Sequence, residues 1–488
     1  MKNKVQLITY VDRLAGSTVN ALHKQLQQNF SGVFSGIHLL PFYYPIDGSD
    51  AGFDPIDHSV VDARLGTWED VKGLGQDYEL MADLIVNHMS AQSAEFQDVI
   101  AQGNKSEYWP LFIKKEDIFP AGMNQQQAEL IYRPRPGSCF SEYKLESGEP
   151  VEFWTTFTSN QVDINVETPA GEKYLDKILN QFSAANIKMI RLDAAGYAIK
   201  RAGTSCFMLD ETFDFINKLS TQANELGITT LVEIHSYYKT QIEIAKRVDL
   251  VYDFALPPLV LHTLFAKNAD ALVNWLTIAP RNCITVLDTH DGIGIIDAGP
   301  LGDKPGLLDA EQIDNLVNQI HANTNGESLK ATGAAASNVD LYQVNSSYYG
   351  ALGYDDYLYL VARAIQFFSP GIPQVYYGGL LAELNDMELL ASSNVGRDIN
   401  RPYLKAEQLA EKKQKPVVQT LLKLIELRNN DDAFNGKFGL EQTETALQLT
   451  WSRDAKTIQL ILDLSTLDCV ISQSENGEVT THNLRSWL

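Results

Sequence analysis

Short apolar runs of strand length recur along the chain and alternate with longer stretches in which apolar residues return every three or four positions. That is the pattern of parallel strands buried by helices. The runs fall at residues 6–10, 36–42, 80–88, 187–194, 229–235, 250–256, 283–291 and 372–377. Eight strands alternating with helices suit an α/β fold closed as a (β/α)8 TIM barrel; a doubly wound open sheet is the competing arrangement that strand pattern alone leaves open.

The spacing of the runs is uneven, and the largest excesses follow the third and the seventh. Residues 89–166 carry Pro110, Pro120, Pro134, Pro136 and Pro150 among aromatics, which predicts an irregular inserted subdomain rather than one crossover helix. Residues 292–355 open on Gly-Ile-Gly and include a small-residue stretch at 332–337, which predicts a loop-rich excursion over the barrel mouth. The barrel is then residues 1–88, 167–291 and 356–433. Val418, Leu421, Leu422 and Ile425 hold helical spacing, after which the period changes to two. Leu447, Leu449 and Trp451 alternate with polar residues, the chain turns over 452–456, and Ile458, Leu460, Leu462 and Leu464 repeat the alternation, so residues 434–488 predict a small β domain.

At 488 residues the chain exceeds what one core usually organises, in keeping with a large domain bearing insertions. A formal charge of −23 disfavours nucleic acid and anionic membranes as partners, and an anionic substrate would need cationic residues gathered locally. No stretch approaches the ~18 apolar residues of a membrane span, and the first 16 residues lack the apolar run of a signal peptide. Cys139, Cys206, Cys283 and Cys469 are widely separated and form no CxxC pair, which argues against a zinc knuckle or a disulfide framework. A reducing cytoplasm is the expected location.

Several runs end in charged residues. Ile190-Arg191-Leu192-Asp193 closes the fourth, Leu231-Val232-Glu233-Ile234-His235 the fifth, and Leu287-Asp288-Thr289-His290-Asp291 the seventh, while Asn87 and His88 close the third. In a barrel, the carboxyl ends of the strands form the active site. Retaining glycosyl transfer needs two carboxyl groups about 5–5.5 Å apart, and neighbouring strands lie roughly 4.8 Å apart. Asp193 suits the nucleophile and Glu233 the acid/base, kept protonated by its neighbour's charge. Asp291 can stabilise an oxocarbenium-like transition state, and Arg191, on the same strand face as Asp193, would keep that aspartate ionised. One acidic residue at a strand end is more often a loop cap or a solvent-facing group; three on separate strands raise the weight of the functional reading. His88 and His290, taken singly, read as structural histidines, and Asp50, Phe53 and Asp54 as the makers of a turn. The acidic stretch 47–57 lacks the spacing of a calcium loop, so no metal is assigned, and no cofactor is expected.

These motifs, with others at 2–9, 52–57, 131–137, 251–258, 338–345 and 396–401, make the chain resemble the α-amylase group of glycoside hydrolases, and within it the glucoside phosphorylases that act on sucrose. The resemblance implies the same nucleophile, acid/base and stabiliser, Asp193, Glu233 and Asp291. It implies that Asp50, Phe53, His88, Arg191, His290 and Arg397 grip the glucosyl unit and that Asp340 and Gln343 also meet substrate. Arg135 and Tyr342 match loop residues that turn toward phosphate, with His235 and Arg397 as further partners. No GxxxxGK loop exists, so phosphate would be bound by side chains. The implied reaction transfers glucose from sucrose to inorganic phosphate, giving α-D-glucose 1-phosphate and fructose through a covalent glucosyl-enzyme. Pro134 and Gln343 resemble the sucrose enzymes more than those acting on sucrose phosphate, whereas Pro402 stands where the family often has histidine. Phosphorolysis of sucrose 6′-phosphate or glucosylglycerol, and hydrolysis or transglucosylation on the same carboxylates, are the alternatives. A catalytically dead scaffold would have lost those acids and would need a membrane anchor. The expected partners are small molecules, and a homodimer is admitted but not specified.

Overall fold

The computed structural model describes residues 2–14, 16–48, 50–134, 137–332 and 343–488. The apolar runs become eight parallel strands: β1 (Gln6–Thr9), β2 (Gly36–Leu39), β3 (Glu79–Ile85), β4 (Ile187–Asp193), β5 (Thr229–Val232), β6 (Leu250–Asp253), β7 (Cys283–Thr285) and β8 (Ile372–Tyr376). They pair in sequence order, and β8 returns to β1 with Gln374 opposite Gln6, so the sheet is closed and the open arrangement is excluded. Most strands are shorter than the runs. The stretch expected over 283–291 is strand only to Thr285, and that over 36–42 only to Leu39. Past those points the chain stays largely buried but leaves the hydrogen-bonded wall to form the mouth of the barrel, where side chains converge on its axis. Gly371 lets β8 enter beside β7: it has φ +127°, and a Cβ there would lie 2.8 Å from Cys283 Sγ.

Around the barrel run α1 (Val19–Asn29), α2 (Trp68–Leu74), α3 (Pro169–Ala184), α4 (Asp210–Glu225), α5 (Tyr238–Ala245), α6 (Leu256–Ala266), α7 (Asp270–Ile278), α8 (Ala310–Asn323), α9 (Asp356–Phe368) and α10 (Pro416–Asn430). Their starts are chemically marked. Thr18 accepts from the Ala21 N–H, Thr67 and Asp70 form a reciprocal capping box, and Pro169 and Pro416 open their helices, where a missing N–H costs nothing. Amphipathic spacing buries Leu175, Ile178, Leu179 and Phe182 of α3. Helix α9 is buried on nearly all sides, and its Arg363 is satisfied by Asp288 Oδ2 at 2.6 Å.

The excursion between β3 and α3 holds short helices and a hairpin pairing Phe140–Lys144 with Pro150–Trp154, over a small core that includes Ile113, Phe119, Ile131 and Trp154. The excursion after β7 is more helical than its small-residue stretch suggests. It contains α8, started by an Asp309–Gln312 capping box and packed through Leu316 and Ile320. Its short strand Ile293–Gly294 pairs antiparallel with Gln343–Val344. The carboxyl-terminal region is the expected β structure, a meander of β9 (Lys437–Gln442), β10 (Ala446–Arg453), β11 (Lys456–Asp463), β12 (Cys469–Glu475) and β13 (Glu478–Asn483). It is fastened to α9: Trp451 Nε1 donates to the Phe368 carbonyl, while Tyr357 donates to the Leu467 carbonyl and accepts from the Cys469 N–H. Among the described residues no helix is long and apolar enough to cross a membrane.

Candidate active site at the mouth of the barrel

Strand register brings the acids together. Leu192 of β4 pairs with Val232 of β5, so Asp193 and Glu233 leave adjacent strand ends side by side. Arg191 and Asp193 share a face by alternation, and Arg191 pairs across the other edge with Asp83 of β3. The result is one guanidinium serving three carboxylates: Arg191 Nη1 lies 2.6 Å from Asp83 Oδ1 and 2.8 Å from Asp193 Oδ1, and Nη2 lies 3.7 Å from Glu233 Oε1. Asp83 is held in turn by His38 Nε2 at 3.0 Å. Immediately after Asp193 the backbone turns sharply, with Ala194 in the left-handed region at φ +55°, a conformation that costs a non-glycine residue about 1–2 kcal/mol.

These side chains open into a cavity of about 150 Å³. That is small beside the ~300–1,000 Å³ of pockets that enclose drug-sized ligands, and suits a single sugar ring better than a polymer. Asp50, Phe53, His88 and His290 line it from the mouth, Gln343 from the short strand Gln343–Val344, and Arg397 from the 3-10 turn Gly396–Asn400. Phe53 stacks on His290, ring centres 4.9 Å apart and 9° from parallel. His88 Nε2 lies 3.1 Å from the Phe53 carbonyl, and Gln161 donates to Asp50 Oδ2 at 3.3 Å. Thus most residues singled out in the sequence line one pocket. Arg135, Asp340 and Tyr342 lie outside the described residues. Sequence reasoning missed Phe157, Gln161 and Tyr197, which also face the cavity. A larger depression of about 760 Å³ between α10 and the carboxyl-terminal sheet is lined by exposed groups such as Lys423, Glu426 and Glu478 and by none of the strand-end residues.

Electrostatics separate the acids. Burial raises the Asp193 carboxyl well above its ordinary range, the Arg191 guanidinium opposes that rise, and the Glu233 carboxylate adds to it. Arg191 lies 2.8 Å from Asp193 but 3.7 Å from Glu233, and the closer contact favours the anion on Asp193. Burial works against the Asp291 carboxylate too, but Arg397 at 2.8 Å, with His290 and Arg401, holds its pKa well below the ordinary value. Burial pushes His290 down to about 3, so its ring is neutral at pH 7. His235 behaves oppositely. Burial disfavours its charge, yet Asp297 at 2.8 Å, with Glu233 and Asp291, raises its pKa.

Behind the pocket Lys200 sits in an all-oxygen nest. Its ammonium is 2.8 Å from Asp163 Oδ2 and donates to Asn87 Oδ1 at 3.2 Å, Thr156 Oγ1 at 3.3 Å and the Tyr197 carbonyl. The nest ties the first excursion to the ends of β3 and β4. Among the described residues no group of three or more His, Cys, Asp or Glu converges to hold a metal ion.

A closed (β/α)8 barrel with adjacent acids at the ends of β4 and β5 and a third past β7 defines the α-amylase class, and the alpha-amylase catalytic-domain family matches residues 32–259. The chain is 54% identical to the sucrose phosphorylase of Agrobacterium vitis, covering 97% of this chain and 98% of that protein, and 51% identical to that of Bifidobacterium adolescentis, covering 95% and 92%. A crystal structure of sucrose 6F-phosphate phosphorylase from Thermoanaerobacter thermosaccharolyticum superimposes with a TM-score of 0.91 at 39% identity, over 99% of this chain and 98% of that one. The chain belongs to the sucrose phosphorylase family.

Proposed function

We propose that the enzyme transfers a glucosyl group from sucrose to inorganic phosphate with retention of configuration. The observation that carries this is the shared guanidinium of Arg191, which contacts both Asp193 and Glu233 where they line a pocket sized for one sugar. The identities above 50% with two sucrose phosphorylases favour sucrose as donor over the phosphorylated or glycerol-bearing glucosides.

In the first step an oxygen of Asp193 attacks the anomeric carbon while the bond to the fructosyl oxygen breaks. Glu233 gives its proton to that oxygen, and fructose leaves. Phosphate then enters the vacated space, passes a hydroxyl proton to Glu233, and attacks the anomeric carbon as its ester to Asp193 breaks. Two inversions give α-D-glucose 1-phosphate. Asp291, kept ionised by Arg397, faces the positive charge that develops at the ring. Asp50, Phe53, His88, Arg191, His290 and Arg397 hold the glucosyl unit, and Gln343 and Asp340 also bind substrate. Arg135, Tyr342, His235 and Arg397 receive phosphate. The chemistry uses small molecules alone and needs no metal or cofactor. Four buried free thiols fit a reducing cytoplasm, where the chain works singly or as a homodimer.

Product analysis with and without phosphate tests this. Sucrose plus phosphate should give glucose 1-phosphate and fructose in equal amounts; free glucose released at a rate indifferent to phosphate would mean hydrolysis instead. Running sucrose 6′-phosphate and glucosylglycerol alongside checks the donor.

A further inference from the structure

His235, assigned above to phosphate, forms a dyad with Asp297, a residue that has no part in the transfer steps as described. The His235 ring lies on Phe254, centres 3.8 Å apart and 12° from parallel. Its Nδ1 is 2.8 Å from Asp297 Oδ2, and its Nε2 is 3.8 Å from Glu233 Oε1 and 3.4 Å from Gln343 Nε2, a contact that an Nε2–H keeps only with the Gln343 amide turned to present its oxygen. Asp297 has no exposed surface, and its Oδ1 accepts from the Ser236 N–H at 3.0 Å and Gln241 Nε2 at 2.6 Å. Gly294 permits the pairing, since a Cβ there would lie 2.6 Å from Asp297 Oδ2 and 3.3 Å from the His235 ring.

Resting on the phosphorylase function above, we propose that Asp297 is a positioning residue for the second half of the reaction. It holds His235 as an imidazolium with Nε2–H turned into the pocket, where that hydrogen meets an oxygen of incoming phosphate beside Glu233. Among the described residues, the carboxylates facing His235 come from three elements: Glu233 past β5, Asp291 past β7, and Asp297 in the excursion beyond it. Phosphate must approach after Glu233 has lost its proton, in a chain of net charge −23. An anion set against a carboxylate needs a cation between them. Fructose brings no such charge, so the first half of the reaction makes less demand on the dyad.

The test is Asp297→Asn in the full chain, which keeps shape and removes charge. Rapid-quench measurement of the first fructose burst reads glucosylation, and steady-state kinetics read the KM for phosphate. The burst should stay within about threefold of wild type while the phosphate KM rises about tenfold or more. His235→Gln should raise that KM similarly, and the double variant should add little, because Asp297 acts through His235. An unchanged phosphate KM, equal loss in both half-reactions, or additive effects would each overturn the proposal. Should Asp297→Asn fail to fold, 15N-histidine NMR of the wild type decides, with the His235 signal identified by its loss in His235→Gln. A protonated ring at pH 7 supports the dyad and a neutral one sinks it. A wild type that makes no glucose 1-phosphate would instead overturn the phosphorylase reading, and the proposal with it.

Discussion

Arg191 Nη1 lies 2.6 Å from Asp83 Oδ1, a carboxylate with no exposed surface, and the same nitrogen reaches Asp193 at 2.8 Å. Asp83 therefore fixes the cation that in turn fixes the candidate nucleophile. Burial works against its charge, but His38 and Arg191 bring its pKa down to about 2 from 3.8. Between those values the unfolded chain binds more protons than the folded one. The contribution, about 2 kcal/mol, is complete above pH ~4 and is lost as pH falls toward 2. Urea midpoints across that window should fall with pH in the wild type and less steeply in Asp83→Asn. That variant should also be about 3–5 kcal/mol less stable at neutral pH, since Arg191 loses a buried partner.

Asp193→Ala and Glu233→Gln should each lower turnover of sucrose by roughly a thousandfold or more while circular dichroism stays unchanged. They differ with α-glucosyl fluoride, whose leaving group needs no proton. Glu233→Gln should release fluoride and accumulate a glucosylated protein detectable by mass spectrometry, whereas Asp193→Ala should release none.

Arg397→Met removes the nearest cation from Asp291. Because Arg397 lowers that carboxyl's pKa, its loss raises it, and protonation of Asp291 should set in at a higher pH than in the wild type, although Arg401 still stands 3.7 Å away. The acid limb of kcat/KM against pH should move upward, with activity at pH 7 down about tenfold to a hundredfold. An acid limb that stays where it was would dissociate Arg397 from Asp291.

Lys200→Met leaves Asp163 buried and unpaired. Removing one member of a buried ion pair costs about 3–5 kcal/mol, measurable as a lower urea midpoint. The nest spans the first excursion and the ends of β3 and β4, so limited proteolysis should begin within residues 89–166 in the variant.

The barrel is legible in the sequence because alternating apolar runs and helical spacings are local patterns, and neighbouring parallel strands follow chain order. Asp193 and Glu233 could be paired on that basis alone. The supports behind them could not. Arg191 meets Asp83 across 108 positions and His235 meets Asp297 across 62, contacts that leave no period to detect. Gln161 opens a strand of only three residues, Gln161–Asp163, that pairs with His88–Ser90, too short for alternation to announce it. The helix α8 was hidden for another reason: its capping signal lies within an excursion whose glycines and small residues read as loop. Strand ends near 285 and 39 were overrun because buried mouth segments are as apolar as the wall.

Helix α9 joins two parts of the molecule that differ in purpose. One side carries Phe368 and Tyr357, which clasp the terminal sheet; Arg363, on the same helix, grips Asp288, three residues before Asp291. A nick or truncation in the last strands would therefore loosen the mount of a residue that lines the candidate site. Heating should melt sheet and barrel in one calorimetric peak, and activity should vanish with that peak rather than ahead of it.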